Sequence, residues 1–324
     1  MDTPRLNRIG RALPFAWQQA ILRRSSGLDL GALASDLFLD YPPDERGFDP
    51  VTTKREFFLI EQLLGRYFRA TTMGVENIPA GRALVVAYHS GVIPWDGLLL
   101  AAETYRHTGR FSWNAGHHIW GRSAAVKNIM VPTGMVLGAH EDFEGLLRRD
   151  ELVTIFVDAG EGNRRAYYLA SDRYKVKPRK GFASGHGGYV KIALRTRSPI
   201  VPVAIVGAEE VHYCLGEVPQ LAEYLHLPFF PLMASLAPLP AHIYIRFGQA
   251  IWFDVPPAAA NDLALVDRLN EHVRSALQEL IDDTLRRRKG IYWGSYDTSD
   301  EPRKGCARPA IAAPEMREAQ AEAA

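Results

Sequence analysis

The chain has 324 residues, of which 47% are hydrophobic and 23% charged, a composition typical of a globular protein with a sizeable core. Its formal net charge at pH 7 is +1, so overall charge does not indicate a nucleic-acid partner. The two cysteines, Cys214 and Cys306, lie far apart and match no zinc motif. They argue against a disulfide framework and favour a reducing, cytoplasmic compartment.

Residues 1–70 form a predicted helical N-terminal segment. The stretch ALPFAWQQAILRR, residues 12–24, places apolar side chains on one helical face, and arginines flank it. A short basic amphipathic helix of this kind lies in a membrane interface. A surface helix packed on the domain explains the pattern equally well. No secretory signal is recognised, and we expect the segment to associate with a membrane surface.

From residue 83 onward, short β-rich runs alternate with helix-like segments. The runs cover residues 83–88, 152–157, 200–206 and 242–247. The predicted helices cover residues 96–107, 140–149, 187–197 and 262–288. Because the runs are almost continuously apolar, both faces of each strand should be covered. The pattern predicts an α/β fold with a largely parallel central sheet flanked by helices, in a domain spanning residues 71–295.

Two further segments have a distinctive composition. The uncharged run of residues 228–245 contains four prolines, which argue against a membrane-spanning helix, and we predict a packed or membrane-touching loop that leads into a strand. The tail, residues 296–324, is rich in alanine, proline and charge, and is predicted to be disordered.

Polar side chains follow three of the predicted strands. His89 follows the first strand, Glu161 and Arg164 follow the second, and Glu209 and Glu210 follow the third. Open α/β sheets place their sites at the carboxyl ends of parallel strands, so these residues are expected at one edge.

His89 and Asp96 in VVAYHSGVIPWDG, residues 85–97, have the chemistry of a base and the group that orients it. A histidine accepts a proton near neutral pH, and a carboxylate on its other nitrogen holds the required tautomer. Taken alone, the two residues are better explained as a loop histidine and a helix N-cap.

Three segments in order resemble the glycerolipid acyltransferase superfamily, the lysophosphatidate acyltransferase-like enzymes. YHSGVIPWDGLLL resembles the first signature, H-x-x-x-x-D, with six residues between histidine and aspartate instead of four. H-S-G-x-x-P-x-D is similar to a variant in bacterial members and in the monoacylglycerol acyltransferase-like branch. AGEGNRR resembles the E-G-x-R block, with Gly160 where the family has proline, and SPIVPVAIVGAEE resembles the final signature. The likeness covers roughly residues 60–250.

The resemblance implies an enzyme that moves a fatty acyl group from acyl-CoA or acyl carrier protein to a hydroxyl of a glycerol-based lipid. The acceptor it favours is lysophosphatidate, which implies a role in phospholipid biosynthesis. Such an enzyme needs no cofactor and no metal, because a thiolate leaves readily. The implied roles are His89 as catalytic base, Asp96 as its orienting partner, and Glu161, Gly162 and Arg164 as the acceptor and phosphate site. Ser90 and Gly91 are candidate oxyanion groups. Arg179 and Lys180, in the basic run of residues 173–197, are candidate donor-binding groups, and a solvated basic face explains that run equally well.

Two alternatives stay open. One is a neutral or unusual acceptor, such as a mono- or diacylglycerol, and the other is a non-catalytic lipid-binding relative. A serine hydrolase, a dinucleotide enzyme and a P-loop enzyme are disfavoured, because G-x-S-x-G, G-x-G-x-x-G after a strand and G-K-[ST] are missing from the sequence. We expect a cytoplasmic protein, peripheral at the inner membrane face, with the membrane surface as partner and no nucleic acid.

Overall fold

The computed structural model describes residues 48–90, 95–116, 134–136, 140–157, 174–176, 188–224, 230–235 and 237–299. The helices in these residues are α1 (Pro50–Ile60), α2 (Trp95–Thr108), α3 (His140–Arg148), α4 (Gly188–Thr196), α5 (Pro219–Tyr224) and α6 (Leu263–Arg287). The strands are β1 (Thr71–Met73), β2 (Ala83–Ala87), β3 (Ser112–Ala115), β4 (Met135–Val136), β5 (Leu152–Phe156), β6 (Ile200–Val206), β7 (Cys214–Glu217), β8 (Pro231–Met233) and β9 (Tyr244–Phe247).

A seven-stranded sheet, in the order β1-β9-β6-β2-β5-β3-β4, forms the centre of the described part of the chain. Its neighbouring strands pair in parallel except β6 and β9, which are antiparallel. The predicted α/β fold with a largely parallel sheet is therefore confirmed. β2 lies in the middle, between β5 and β6, so the residues that follow it come out at the centre of the carboxyl edge.

Alternation along β2 divides the core into two layers. Leu84 and Val86 face a cluster that includes side chains of α3, α4 and α6. Ala83, Val85 and Ala87 face a second cluster, to which α2 contributes Leu99 and Leu100. The strand is fully buried on both faces, which explains its continuous apolar sequence.

The long helix α6 closes the first layer. Asp262 caps its first turn by accepting a hydrogen bond from the N–H of Leu265 at 3.1 Å. A stripe of apolar side chains at helical spacing is buried, and the helix packs across β6. The stripe consists of Leu265, Leu269, Val273, Leu277 and Ile281.

Three differences from the sequence-based expectations concern local structure. The last predicted strand, β9, runs antiparallel to β6, and the described part of the connection between them contains β7, α5 and β8, with β7 and β8 paired antiparallel. The run of residues 228–245 contains the short strand β8 where we predicted only a loop. The sequence does not predict the strands β1, β3, β4 and β7, since two to four residues are too few to show a periodicity.

The N-terminal helix that begins at Pro50 continues as a π-helix from Glu61 to Gly65 and packs against α2. The predicted amphipathic stretch of residues 12–24 and the predicted disordered tail beyond residue 299 lie outside the described residues. Among the described helices, none has both the length and the apolar composition that a membrane crossing requires.

Candidate active site

His89 follows β2 at the carboxyl edge of the sheet. Its side chain is 13% exposed, so it reaches the surface while most of it is packed. Nδ1 of His89 lies 3.0 Å from Oδ2 of Asp96, which is a hydrogen-bond distance. The two residues are therefore held together in spite of the six residues between them.

Asp96 is fully buried in the first turn of α2. Oδ2 also accepts the N–H of Ser90 at 2.8 Å, and Oδ1 accepts the N–H of Gly97 at 2.8 Å. Backbone donors and the positive end of the helix together stabilise a buried carboxylate. A carboxylate held in this way requires a proton on Nδ1 of His89, which leaves the lone pair on Nε2.

An aromatic ring lies against the imidazole. Phe156, the last residue of β5, stacks on His89 with the ring centroids 3.8 Å apart and the planes inclined by 9°. The phenyl ring also packs against the backbone of Gly97, in the first turn of α2.

A second buried polar group lies at the end of β6. Oε1 of Glu209 accepts the hydroxyl of Tyr88 at 3.3 Å and the N–H of Tyr174 at 2.9 Å. Tyr174 donates its hydroxyl to Glu210, which also pairs with Arg288 at 3.0 Å. Burial and the two glutamates raise the pKa of the Tyr174 hydroxyl well above its usual value, so it stays a donor. This group anchors Tyr88, the residue immediately before His89.

On the other side of Asp96, the indole N–H of Trp95 donates to Nε2 of His212 at 3.1 Å. Burial lowers the pKa of His212, which favours the neutral ring that this hydrogen bond needs. Trp95 is thereby fixed at the start of α2, one residue before Asp96.

Of the other predicted site residues, the structure describes only Ser90. The N–H of Ser90 donates to Asp96, so this N–H is already used and is not directed at an oxyanion. The Ser90 hydroxyl is buried and has no hydrogen-bond partner among the described residues. The remaining candidates lie outside the described residues: Gly91, Glu161, Gly162, Arg164, Arg179 and Lys180.

Sequence reasoning missed Phe156, Trp95 and His212 and left Glu209 without a role. Phe156 ends a strand at the predicted edge, which was the available signal, but its ring stack depends on strand register. In the described part of the chain, no three histidine, cysteine, aspartate or glutamate side chains are grouped so that they could hold a metal ion.

The family model named Acyltransferase matches residues 69–206, which run from just before β1 to the end of β6 and include His89 and Asp96. The chain belongs to the acyltransferase family. This confirms the resemblance seen in the sequence motifs. The reaction class of the family is acyl transfer.

Similar proteins occur in mycobacteria and in the mouse. An uncharacterized protein of Mycobacterium tuberculosis is 32% identical over 283 residues, covering 82% of this chain and 75% of its own length. A Mycobacterium leprae protein is 32% identical over 280 residues, covering 82% and 73%. The mouse protein described as a DGAT1/2-independent enzyme synthesizing storage lipids is 27% identical over 216 residues, covering 66% of this acyltransferase and 60% of the mouse chain.

The acyltransferase also resembles a solved structure, the 1-acyl-sn-glycerophosphate (LPA) acyltransferase PlsC from Thermotoga maritima. The identity is 17%, the TM-score is 0.47, and the match covers 80% of this chain and 89% of the other.

Proposed function

We propose that the protein transfers a fatty acyl group from a thioester, acyl-CoA or acyl carrier protein, to a hydroxyl of a glycerol-based lipid. The observation that carries the proposal is the 3.0 Å contact between His89 Nδ1 and the buried Asp96 carboxylate, at the carboxyl edge of the sheet in an acyltransferase-family chain. That arrangement suits general-base catalysis.

His89 acts directly on the acceptor. Its Nε2 takes the proton of the lipid hydroxyl while the oxygen attacks the thioester carbonyl. A carbon–oxygen bond forms, the carbon–sulfur bond breaks, and the imidazolium returns its proton to the departing thiolate. Asp96 stabilises the imidazolium and keeps the ring in the required tautomer, and the positive end of α2 stabilises the carboxylate that has this role.

Lysophosphatidate is the acceptor that we propose first, for phospholipid biosynthesis. The support is the AGEGNRR segment, in which Glu161, Gly162 and Arg164 follow β5 in the sequence. An arginine fork matches phosphate oxygens in geometry and charge, and glycine lets a ligand approach the backbone. Arg179 and Lys180 are proposed to meet the phosphates of the donor.

A neutral acceptor is the second candidate. The mouse relative is described as synthesizing storage lipids, and it matches two thirds of this chain. By analogy, a mono- or diacylglycerol would then take the place of lysophosphatidate, and Arg164 would have no phosphate to bind.

We also propose peripheral binding at the cytoplasmic face of the inner membrane, where lipid acceptors are found. Leu59, Leu63 and Tyr67 follow one another at four-residue spacing and are 43–66% exposed. The exposed Arg66 lies beside them in the sequence. Apolar side chains flanked by a cation suit an anionic lipid surface.

The acceptor is tested with purified protein, labelled acyl-CoA or acyl carrier protein, and a panel of lysophosphatidate, monoacylglycerol and diacylglycerol, with products identified by mass. We expect acylated lysophosphatidate as the main product. Transfer mainly to a neutral lipid would replace the first acceptor by the second. If wild type transfers acyl groups to no lipid, the non-catalytic alternative is favoured.

Arg164→Ala tests the phosphate site. It should raise KM for lysophosphatidate about tenfold or more, with KM for the donor nearly unchanged, because a charge-assisted contact is lost. Arg164→Lys should rescue only part of the loss. Arg286→Ala is a matched control that removes an arginine 76% exposed on α6. Equal kinetics of Arg164→Ala and Arg286→Ala would refute the assignment.

Leu63→Glu tests the membrane surface. Flotation with anionic vesicles should fall, because a carboxylate replaces an apolar contact, and the same exchange at the exposed Leu263 is the control. Undiminished flotation of Leu63→Glu would remove α1 and its continuation from the proposal, and deletion of residues 1–24 then tests the N-terminal segment.

A further inference from the structure

The hydrogen bond to Asp96 fixes only part of the orientation of His89. It fixes the position of Nδ1, but the torsion that turns the ring about the Cβ–Cγ bond has a broad minimum. A base that must meet a hydroxyl proton needs its ring plane fixed as well, since small misplacements of reacting groups reduce rates strongly.

Strand register places a second restraint on the ring. Ala87 of β2 pairs with Phe156 of β5, so the two side chains lie on the same face of the sheet. His89 follows Ala87 by two residues, just beyond the end of the strand. The phenyl ring of Phe156 stacks on the His89 imidazole, with the ring centroids 3.8 Å apart and the planes inclined by 9°.

The phenyl ring contacts both elements that carry the pair. On the side of α2 it packs against Gly97, where a Cβ would be 3.6 Å from Cε2 and Cζ of the ring. The N–H of Gly97 in turn donates to Oδ1 of Asp96. Phe156 is 6% exposed, so neighbours hold it in place on its other sides.

We propose that Phe156 is a positioning residue that sets the plane of the His89 imidazole and directs Nε2 at the acceptor hydroxyl. The inference rests on the proposed function, in which His89 is the base. The face of the phenyl ring is also electron-rich, so it attracts the imidazolium that forms when His89 takes the proton. A purely structural phenylalanine would contribute to stability alone.

Three variants separate positioning from packing. Phe156→Leu keeps an apolar side chain but removes the flat ring, and Phe156→Tyr keeps the ring. The matched control is Phe247→Leu, because Phe247 is 1% exposed in the same hydrophobic cluster but lies on β9. Each variant is measured for thermal unfolding and for kcat and KM with donor and acceptor.

We expect both leucine variants to lower the unfolding temperature. Phe156→Leu should also lower kcat about tenfold with little change in either KM, because orientation in the transition state is lost. Phe247→Leu should have a kcat near that of the wild type. Phe156→Tyr, which keeps the ring, should have most of the wild-type kcat. Equal kcat values for the two leucine variants would overturn the proposal.

Nuclear magnetic resonance of labelled histidine keeps the test independent of activity. In wild type the ring protons of His89 should be shifted upfield by the phenyl ring current, and the Nδ1 proton should be protected by Asp96. In Phe156→Leu the upfield shift should vanish and the Nδ1 proton should exchange faster. Unchanged Nδ1 exchange in Phe156→Leu would show that Asp96 alone orients the ring. A wild type with no transferase activity but with these signatures would instead contradict the proposed function.

Discussion

Two histidine–carboxylate pairs lie near the two ends of α2, and only one of them, His89 with Asp96, has the environment of a base. At the N-terminal end, Asp96 accepts hydrogen bonds from His89 and from two backbone N–H groups. At the C-terminal end, Nε2 of His107 lies 3.5 Å from Glu103, and Arg106 contacts both. Residue types alone therefore do not distinguish the two pairs.

The arginine accounts for the difference. A guanidinium is always a donor, so Nη2 of Arg106, at 2.7 Å, uses the lone pair of His107 Nε2. The same guanidinium neutralises Glu103, which also accepts the hydroxyl of Thr72 at 2.6 Å. Asp96 has backbone donors in place of a cation, so its negative charge remains available to an imidazolium. We therefore propose that the third group decides whether such a pair can act as a base.

The largest expected effect comes from removing the two histidines separately. His89→Ala should lower kcat by 10²–10⁴, roughly the contribution of a general base, while the protein remains folded because His89 follows the strand and is partly exposed. His107→Ala should leave kcat near wild type. Near-normal turnover in a folded His89→Ala protein would contradict the assignment of His89, and not His107, as the base.

Replacing the carboxylate should also lower kcat in the Asp96 pair and not in the Glu103 pair, by a smaller factor than replacing the histidine. Asp96→Asn has one oxygen in place of two, so its NH2 must face at least one of three donors. We expect kcat to fall by about 10², less than in His89→Ala, since the base itself remains. Glu103→Gln should keep kcat within about twofold. A larger kcat loss in Glu103→Gln than in Asp96→Asn would contradict this assignment.

Glu103 should instead control stability in acid. Burial alone would raise its pKa, but the contacts with His107, Arg106 and Thr72 outweigh burial and lower the pKa from 4.5 to about 2. A carboxyl group with a depressed pKa in the folded state stabilises the fold above its unfolded pKa. This contribution, up to roughly 3 kcal/mol, should be lost as the pH falls from about 4.5 to about 2.

Urea unfolding between pH 7 and pH 3 measures this loss, with Glu103→Gln as the variant that lacks the titrating group. The difference in unfolding free energy between wild type and variant should shrink toward low pH. A difference that stays constant over the range would rule out the lowered pKa.

The main elements of the fold could be predicted from the sequence because their signals are local. The apolar runs ending near Ala87, Phe156 and Val206 correspond to β2, β5 and β6, and α6 begins one residue after the predicted start. The direction of β9 could not be predicted, because a short apolar run has no polarity of its own and the connection decides it.

In the candidate site, too, contacts between residues close in the sequence could be predicted and contacts between distant residues could not. Glycine, serine and proline between His89 and Asp96 indicated a turn that returns the aspartate to the histidine, and the structure has the two side chains in contact. Phe156 and Glu209 could not be assigned, since their contacts join residues 67 and 121 positions apart and depend on which strands are neighbours.

The central position of β2 has a consequence for the opening motions of the protein. Its five residues are inaccessible to solvent and bonded to strands on both sides, so its amide hydrogens should exchange only when the whole domain unfolds. His89 is attached to the end of this strand. As the denaturant concentration rises, the end of β2 should hold His89 in place until global unfolding, even where less buried elements such as the β7–β8 pair open earlier.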